Sequence, residues 1–208
     1  MTRIQLIRRI LRQVYGGQPS IDSNITDNLV NNWLTEALAA SAVKNYREND
    51  QLDGVAYVNN SFYTTFSSLA VSATSTPFYY QLTLPQIPVG IGNNEGVGTL
   101  QFVDSQGNIS DPAIPLSENQ VGYFRNMRPI PNKILYYPES IYLYAISTLQ
   151  LNTFTGKVRM ISGGNSADLN SILNVPDEAL ADITAYVSKM LSWERQQLKI
   201  PTDDGADA

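Results

Sequence analysis

The feature that most constrains the fold is a change in hydrophobic spacing along the chain. Near both ends of the 208-residue sequence, apolar residues repeat every three to four positions, which is typical of amphipathic helices. Between residues 53 and 162 they form short runs rich in Tyr and Thr, separated by Gly, Pro, Asn and Asp, which is typical of strands and turns. We therefore predict an α+β fold, in which a helical bundle from the N- and C-terminal segments frames a central antiparallel β domain, sandwich- or barrel-like.

Three amphipathic helices are predicted outside the β region. The first and third have an apolar face opposite a polar or charged one. The second has two apolar stripes, so it is expected to contact more than one neighbour; they are Leu29, Trp33 and Ala37, and Val30, Leu34, Leu38 and Ala42. Hydroxyl and carboxylate side chains stand where the second and third helices begin and favour a helix start there. The first helix is rich in Arg and free of acid, so it also fits a membrane-surface helix or a transit peptide. The helices are expected at Thr2–Tyr15, from about Ser23–Asp27 to about Glu48, and from Pro176 to about Leu198.

Eight strands are predicted between the helices, from alternating or continuous apolar runs bounded by turn residues. A turn at Asp104–Asn108 is among the clearest local signals, because Gly107 can adopt a positive φ. The candidate strands are Val55–Val58, Phe62–Ala73, Phe78–Leu84, Gly98–Val103, Val121–Met127, Ile134–Tyr137, Ile141–Ile146 and Lys157–Ile161. The chain is accordingly divided into N-terminal helices (1–52), a β domain (53–162), a C-terminal helix packing with the N-terminal helices (163–199) and a flexible acidic tail (200–208).

Two residue types that support most neutral-pH chemistry are missing. The sequence contains no cysteine and no histidine, which excludes Ser-His and Cys-His nucleophile pairs, an imidazole general base and the usual zinc sites. The chain could still catalyse a reaction with a pair of carboxylates or with a lysine Schiff base. The composition favours a protein that is not an enzyme and has no metal or cofactor.

The charge and hydropathy of the chain also limit its partners. A formal net charge of −5 argues against a surface that holds nucleic acid by releasing counterions from phosphates. The apolar runs are far shorter than the ~20 residues that a membrane helix requires. We expect no membrane partner and no sequence-specific binding of DNA.

Two glycine-rich segments are similar to ligand-binding loops only in composition. Gly90–Gly98 follows prolines and precedes a strand-like run, whereas a dinucleotide-binding loop requires a strand before it and a helix after it. Ser162–Ser166 would expose amides to an anion at a helix start, but a strand-to-helix turn is the favoured interpretation. Neither segment predicts a cofactor site.

Aromatic side chains are the best candidates for intersubunit contacts. The strand Ile141–Ile146 is apolar on both faces, so it lies inside a layered core or against another subunit. Tyr and Trp suit interfaces because they combine a large apolar area with a polar group. The predicted interface residues are Trp33, Tyr142, Tyr144, Tyr186 and Trp193.

Several short stretches carry a resemblance to a known class of proteins. They are Leu82–Pro85, Val89–Ile91, Arg125–Arg128, Tyr136–Pro138, Ile141–Tyr144, Val175–Leu180, Lys189–Leu191 and Glu194-Arg195. These stretches, and the order of two helices, a β region and a C-terminal helix, resemble the neck ring or adaptor (connector) proteins that extend the portal of tailed bacteriophages toward the tail, of the crAss-like phage type. The resemblance spans most of the chain.

The resemblance implies a virion structural protein of the neck or portal vertex, made in the host cytoplasm. Its copies would form a cyclic ring, a dodecamer, that stacks on the portal or a neighbouring ring protein and offers a platform to tail proteins. The genome would pass through the lumen. The family has no catalytic residues to carry over. The segment Pro176–Ala208 is expected to be needed for attachment of the ring.

The sequence is also compatible with other classes of function. A tail-tube, baseplate or capsid-decoration protein is the closest rival. A glycan-binding β module is a second, in which Tyr79, Tyr80, Tyr136 and Tyr137 would stack on sugar rings. A carboxylate-based hydrolase is a third, and it would need two acids facing across one cleft.

Overall fold

The structure, a computed structural model, describes residues 1–16, 25–55, 57–91, 96–124, 129–162 and 166–197. Within these ranges the chain forms four α-helices and seven β-strands. The helices are α1 (Arg3–Tyr15), α2 (Asp27–Asp53), α3 (Glu118–Phe124) and α4 (Asp177–Gln197). The strands are β1 (Tyr63–Ala73), β2 (Tyr79–Thr83), β3 (Val97–Val103), β4 (Ile114–Pro115), β5 (Leu135–Glu139), β6 (Tyr142–Ile146) and β7 (Thr155–Ile161). The predicted α+β class, with helices framing a β domain, is confirmed.

Helix α1 begins and ends at residues suited to those positions. The Thr2 hydroxyl accepts a hydrogen bond from the Gln5 backbone N–H (3.4 Å), and the Gln5 side chain accepts one from the Thr2 N–H (2.9 Å), which completes a capping box. Gly16 ends the helix with a φ of 70°, which glycine adopts without steric cost. The Arg3 N–H donates to the Ser171 carbonyl (3.1 Å), so the start of α1 is fixed to the segment that precedes α4.

Helices α1, α2 and α4 share one apolar core. Their buried side chains recur every three to four residues, the spacing that places them on one face of each helix. They are Leu6, Ile7, Ile10 and Leu11 in α1, Val30, Leu34, Ala37, Leu38 and Ala42 in α2, and Ala179, Ile183, Val187 and Leu191 in α4. Phe62 and Ile161 belong to the same cluster, so the bundle packs directly against the β region.

The strands form one curled sheet in the order β3–β7–β1–β2–β6–β5–β4. All the neighbouring strands are antiparallel except β4 and β5, which are parallel. The first part of β1 pairs with β7 and its last part with β2, and its register shifts between Phe66 and Leu69. Ser68, within this irregularity, has a φ of 61°. A bulge bends its strand and increases the twist, so β1 turns the sheet around its own core.

The segment before β5 joins the two edges of the sheet. The Ala113 N–H donates to the Leu100 carbonyl of β3, and the Leu116 N–H donates to the Tyr136 carbonyl of β5, both at 2.8 Å. One short stretch of backbone therefore bonds to both outer parts of the sheet. The strands enclose a second apolar core, separate from that of the bundle.

Tyr136 crosses the interior of the β domain. Its side chain is 1% exposed, and its hydroxyl donates a hydrogen bond to the Val97 carbonyl at 3.1 Å, which links β5 to β3. Burial, with a smaller effect from Tyr63, raises the pKa of Tyr136 from 10.0 to about 12. The neutral phenol is thus the form that the folded protein favours.

We expect Tyr136→Phe to lower the free energy of unfolding by about 1–2 kcal/mol, because a buried hydrogen bond is lost. The contribution of Tyr136 is fully present below its ordinary pKa of 10.0 and decreases as the pH rises through about 12, since the unfolded chain ionises first. Urea unfolding of both proteins, near neutral pH and near pH 11, measures the difference. A difference that does not shrink at alkaline pH would contradict the raised pKa.

The prediction of a strand at Val121–Met127 is wrong for the residues of it that are described. Residues Glu118–Phe124 form α3, and residues 125–128 lie outside the described part of the chain. The Ser117 N–H donates to the side-chain oxygen of Gln120 at 3.0 Å, and a Ser followed three residues later by Gln is a signal for a helix start. Here the capping residues outweigh the β-branched and aromatic content of the stretch.

The prediction of a strand at Val55–Val58 is also wrong for the three residues of it that are described. Helix α2 is longer than predicted and ends at Asp53, where Gly54 has a φ of 67°. The Asn49 side chain of α2 then donates to the Tyr57 carbonyl at 2.9 Å. This segment therefore bonds to a helix side chain instead of a neighbouring strand.

Several predicted segments are described only in part. The boundary at 52/53 falls at the end of α2, and the segment 163–199 contains α4. Residues 92–95 and 163–165, in the two glycine-rich segments, and the acidic tail 200–208 lie outside the described residues. The turn at Asp104–Asn108 forms as predicted, with a φ of 86° at Gly107.

Candidate interaction surfaces

Helix α4 presents aromatic side chains to solvent on the side away from the helical core. Tyr186 and Trp193 are 38% and 56% exposed, and because they are two helical turns apart they lie on the same side of the helix. The ammonium group of Lys189, between them in sequence, lies 5.4 Å from the centre of the Trp193 ring, within the range of a cation–π interaction. We call Tyr186, Lys189 and Trp193 the α4 strip.

An ion pair joins α2 to α4 beside this strip. The Lys44 ammonium lies 2.6 Å from an oxygen of Asp182 and 3.8 Å from one of Glu48. The hydrogen bond and charge of Asp182, with a smaller effect from Glu48, raise the pKa of Lys44. All three side chains are exposed, so the cluster contributes little to stability. The cluster places the charges of Lys44, Glu48 and Asp182 close together beside the α4 strip.

A second aromatic surface is the exposed end of a row of tyrosines on β5 and β6. Tyr144 stacks on Tyr137 with ring centres 5.3 Å apart and ring planes inclined by 20°. Tyr142 continues the row, 6.4 Å from Tyr144, and is 37% exposed. Val121 and Phe124 of α3 pack against the same cluster. We call Tyr137, Tyr144 and Tyr142 the tyrosine row; Tyr142 is its exposed end.

The five residues predicted to form contacts divide into two groups. Trp33 packs against the helical core and Tyr144 against the α3 cluster, both half-buried. The exposed ones are Tyr142, Tyr186 and Trp193. Sequence reasoning missed Tyr123 of α3, which is 73% exposed, because its segment was interpreted as a strand. The capping residues at Ser117 and Gln120 would have placed it on a helix.

The tyrosines considered for sugar stacking lie mostly inside the β domain. Tyr80, Tyr136 and Tyr137 are 8%, 1% and 6% exposed, and Tyr79 is half-buried. Their rings pack in the two apolar clusters of the β domain. Stacking on a sugar from solvent would require these rings to leave the core.

An open groove of about 990 Å³ runs between α1 and α4. Its α4 side consists largely of small side chains, which leave room for another segment of chain. The lining residues are Arg9, Gln13 and Val14 of α1, and Asp177, Leu180, Ala181, Thr184, Ala185, Ser188, Ser192 and Gln196 of α4. We call this the α1–α4 groove.

The exposed side of α1, next to this groove, is cationic. Arg8, Arg9 and Arg12 are all exposed, and α1 contains no acidic residue. Their spacing of three and four positions places Arg8 and Arg9 each within one helical turn of Arg12. None of the three forms an ion pair with another described residue. We call them the α1 arginines.

Arg3, the remaining arginine of α1, has a different environment. Its side chain is fully buried; its Nε donates to the Asn31 side chain at 2.8 Å, and its guanidinium also donates to the Thr35 hydroxyl. Burial lowers the pKa of Arg3 to about 10, which leaves it charged at neutral pH. Arg3 therefore links α1 to α2 inside the bundle.

These features define an α+β chain in which helices frame a curled sheet, with exposed aromatic side chains on both parts. No protein-family model matches the chain, and no curated protein matches it. In the described part of the chain, no helix is both long and apolar enough to cross a membrane. Among the same residues, no group of three or more His, Cys, Asp or Glu side chains is placed to hold a metal ion.

Proposed function

We propose that this chain is a virion structural protein that forms an oligomeric ring in the portal-proximal neck of a tailed bacteriophage, connects the portal to the tail and encloses the DNA channel. The observation that carries the proposal is that exposed aromatic side chains occur on two separate parts of the fold, the α4 strip and the end of the tyrosine row. A ring that stacks on the portal needs one surface for that contact and a separate surface for the contact with adjacent copies. The two aromatic surfaces supply one of each.

Each part of the fold has its own role in this proposal. The bundle of α1, α2 and α4 docks the portal or a neighbouring ring protein through the α4 strip. The β domain, through Tyr142 and the α3 residue Tyr123, contacts adjacent copies of the chain. Tyr and Trp are the residues whose removal costs most at protein interfaces, so these few side chains account for most of the binding energy.

The net charge supports a channel that DNA passes through without being held. At −5 the chain as a whole repels phosphate, and weak attraction to phosphate avoids slowing the moving genome. Sequence-specific contacts to DNA have no role in this proposal. Tail proteins bind the face of the ring that points away from the portal.

A truncation is a poor test of this proposal. Deleting Pro176–Ala208 would remove Ile183, Val187 and Leu191, which are 1%, 0% and 0% exposed, from the helical core. Loss of three such side chains would unfold the bundle. A failure to join the particle would then report on folding and not on docking.

The direct test is the copy number and position of the chain in purified particles of the phage that encodes it. We expect quantitative mass spectrometry to give one ring of copies per particle, and a reconstruction of the neck to place them around the portal axis. Many stacked copies along the tail would instead identify a tail-tube protein, and copies spread over the capsid a decoration protein. Either result, or absence from the particle, overturns the proposal.

A further inference from the structure

The sequence that follows α4 complements the α1–α4 groove in charge. Residues 198–208 contain Asp203, Asp204 and Asp207 but only one basic residue, Lys199. The α1 side of the groove carries Arg9, with Arg8 and Arg12 on the same exposed side of the helix. An acidic segment thus follows a helix that lines the groove, and the cations on the α1 side form no ion pair with another described residue.

The segment after α4 is long enough to extend along much of the groove. Gln196 lines the groove, and α4 ends at Gln197. At up to ~3.3 Å per residue, the six residues to Asp203 span roughly 20 Å. The α4 side of the groove, from Asp177 to Gln196, is about 29 Å long at 1.5 Å per residue. The aspartates therefore reach well along the groove from where the segment starts.

We propose that the α1–α4 groove is the docking surface for the chain's own segment 198–208, with its aspartates paired to the α1 arginines. The small side chains of α4, such as Ala181, Ala185 and Ser188, leave room for the backbone of the segment. Single exposed ion pairs contribute little, but several act together here, and covalent attachment to α4 keeps the segment at a high effective concentration. The proposal does not depend on the function proposed above.

Docking would cover the positive side of α1. The α1 arginines are the exposed cations that an anionic partner such as DNA phosphate would meet on this helix. With the aspartates paired to them, phosphate has to displace the segment before it can bind. The docked segment therefore lowers the affinity of the bundle for nucleic acid.

The absence of cysteine allows a specific test. In the Ala206→Cys variant, a nitroxide spin label attaches only at residue 206. We expect the label to cause loss of the amide NMR signals of groove residues such as Gln13, Thr184 and Ser188, and to spare those of the β domain. Signals lost uniformly over the surface, or only outside the groove, overturn the proposal.

Charge variants test whether ion pairs between the aspartates and the α1 arginines hold the segment in the groove. Changing Asp203, Asp204 and Asp207 to Asn should restore the groove signals, and so should changing the three α1 arginines to Gln. The matched control is Arg47→Gln, an exposed arginine on α2, which should leave the signal loss unchanged. The α1 arginines and Arg47 are exposed, so their variants keep the fold, and the unlabelled spectra verify the fold of every variant. Signal loss that survives both sets of changes overturns the proposal.

Two further experiments test whether a second copy occupies the groove and whether the segment covers the α1 arginines. If the groove signals of an isotope-labelled chain without a spin label are also lost when it is mixed with a separate spin-labelled chain, the segment docks on a second copy and the proposal is overturned. A chain ending at Gln197 should bind a DNA duplex more tightly than the full chain at low salt, because its α1 arginines are uncovered. Equal binding by the two chains means that the segment does not cover the arginines, which also overturns the proposal.

Discussion

If the chain forms the neck ring proposed above, the Trp193→Ala variant is expected to be lost from the particle while it folds normally. Removing a central Trp from an interface costs about 2 kcal/mol or more, which weakens binding by roughly 30-fold at each contact. The same change on the free chain removes a side chain that is 56% exposed, and such surface changes usually alter stability by less than about 0.5 kcal/mol. Quantitative mass spectrometry of particles assembled with the variant measures the loss, and urea unfolding measures the stability.

The matched control for this prediction is Leu52→Ala. Leu52 lies near the end of α2 and is 82% exposed, so the change removes a large apolar side chain that lies outside both aromatic surfaces. We expect this variant to enter particles at the wild-type level. Normal incorporation of Trp193→Ala would show that the α4 strip is not a docking surface. Equal loss of both variants would show a general effect of surface hydrophobicity.

The helices could be predicted from the sequence because their signals are local. The capping box of Thr2 and Gln5 and the glycine at position 16 lie next to the residues whose conformation they determine. In α4, apolar spacing grouped Tyr186 and Trp193 with the buried Ile183, Val187 and Leu191, but the structure leaves these two aromatic side chains 38% and 56% exposed. Trp33 lies on a helix with two apolar stripes, so spacing alone did not determine its exposure.

The sheet could be predicted only as a set of strands. The long strand β1 pairs with β7, nearly a hundred residues further along the chain, so that Tyr63 faces Ile161. No local pattern specifies such a partner, because pairing depends on which strands bury each other's apolar faces. The link between Tyr136 and Val97 across the core has the same origin. It depends on the curl of the whole sheet.

The α1–α4 groove could not be predicted from the sequence for a related reason. It depends on how two helices at opposite ends of the sequence pack, and on where the larger side chains of α4 point after packing. The arginines on α1 and the aspartates after α4 were visible as separate charged segments. Only the structure places Arg9 and Gln196 in the lining of one groove, and this is what relates the two charged segments to each other.

The Gly96→Ala variant is expected to lower the free energy of unfolding by about 2–4 kcal/mol. A Cβ atom at this position would collide with the carbonyl oxygen of Val89, which is a backbone atom and cannot move away by rotating a side chain. Gly96 is also held in place, because its carbonyl accepts a hydrogen bond from the Ile161 N–H at 2.9 Å. Overpacking of this kind costs about 1–3 kcal/mol, and weakening the hydrogen bond adds about 1 kcal/mol.

Gly90→Ala tests the collision itself, because Gly90 belongs to the same glycine-rich segment. A Cβ atom at position 90 meets no atom within 4 Å, so this change should alter stability by less than about 0.5 kcal/mol. Urea unfolding followed by circular dichroism compares both variants with the wild type. If the close approach of Val89 requires glycine at position 96, only Gly96→Ala unfolds at a lower urea concentration than the wild type. Equal stability of the two variants would mean that the loop relaxes freely and that β3 is not held at this point.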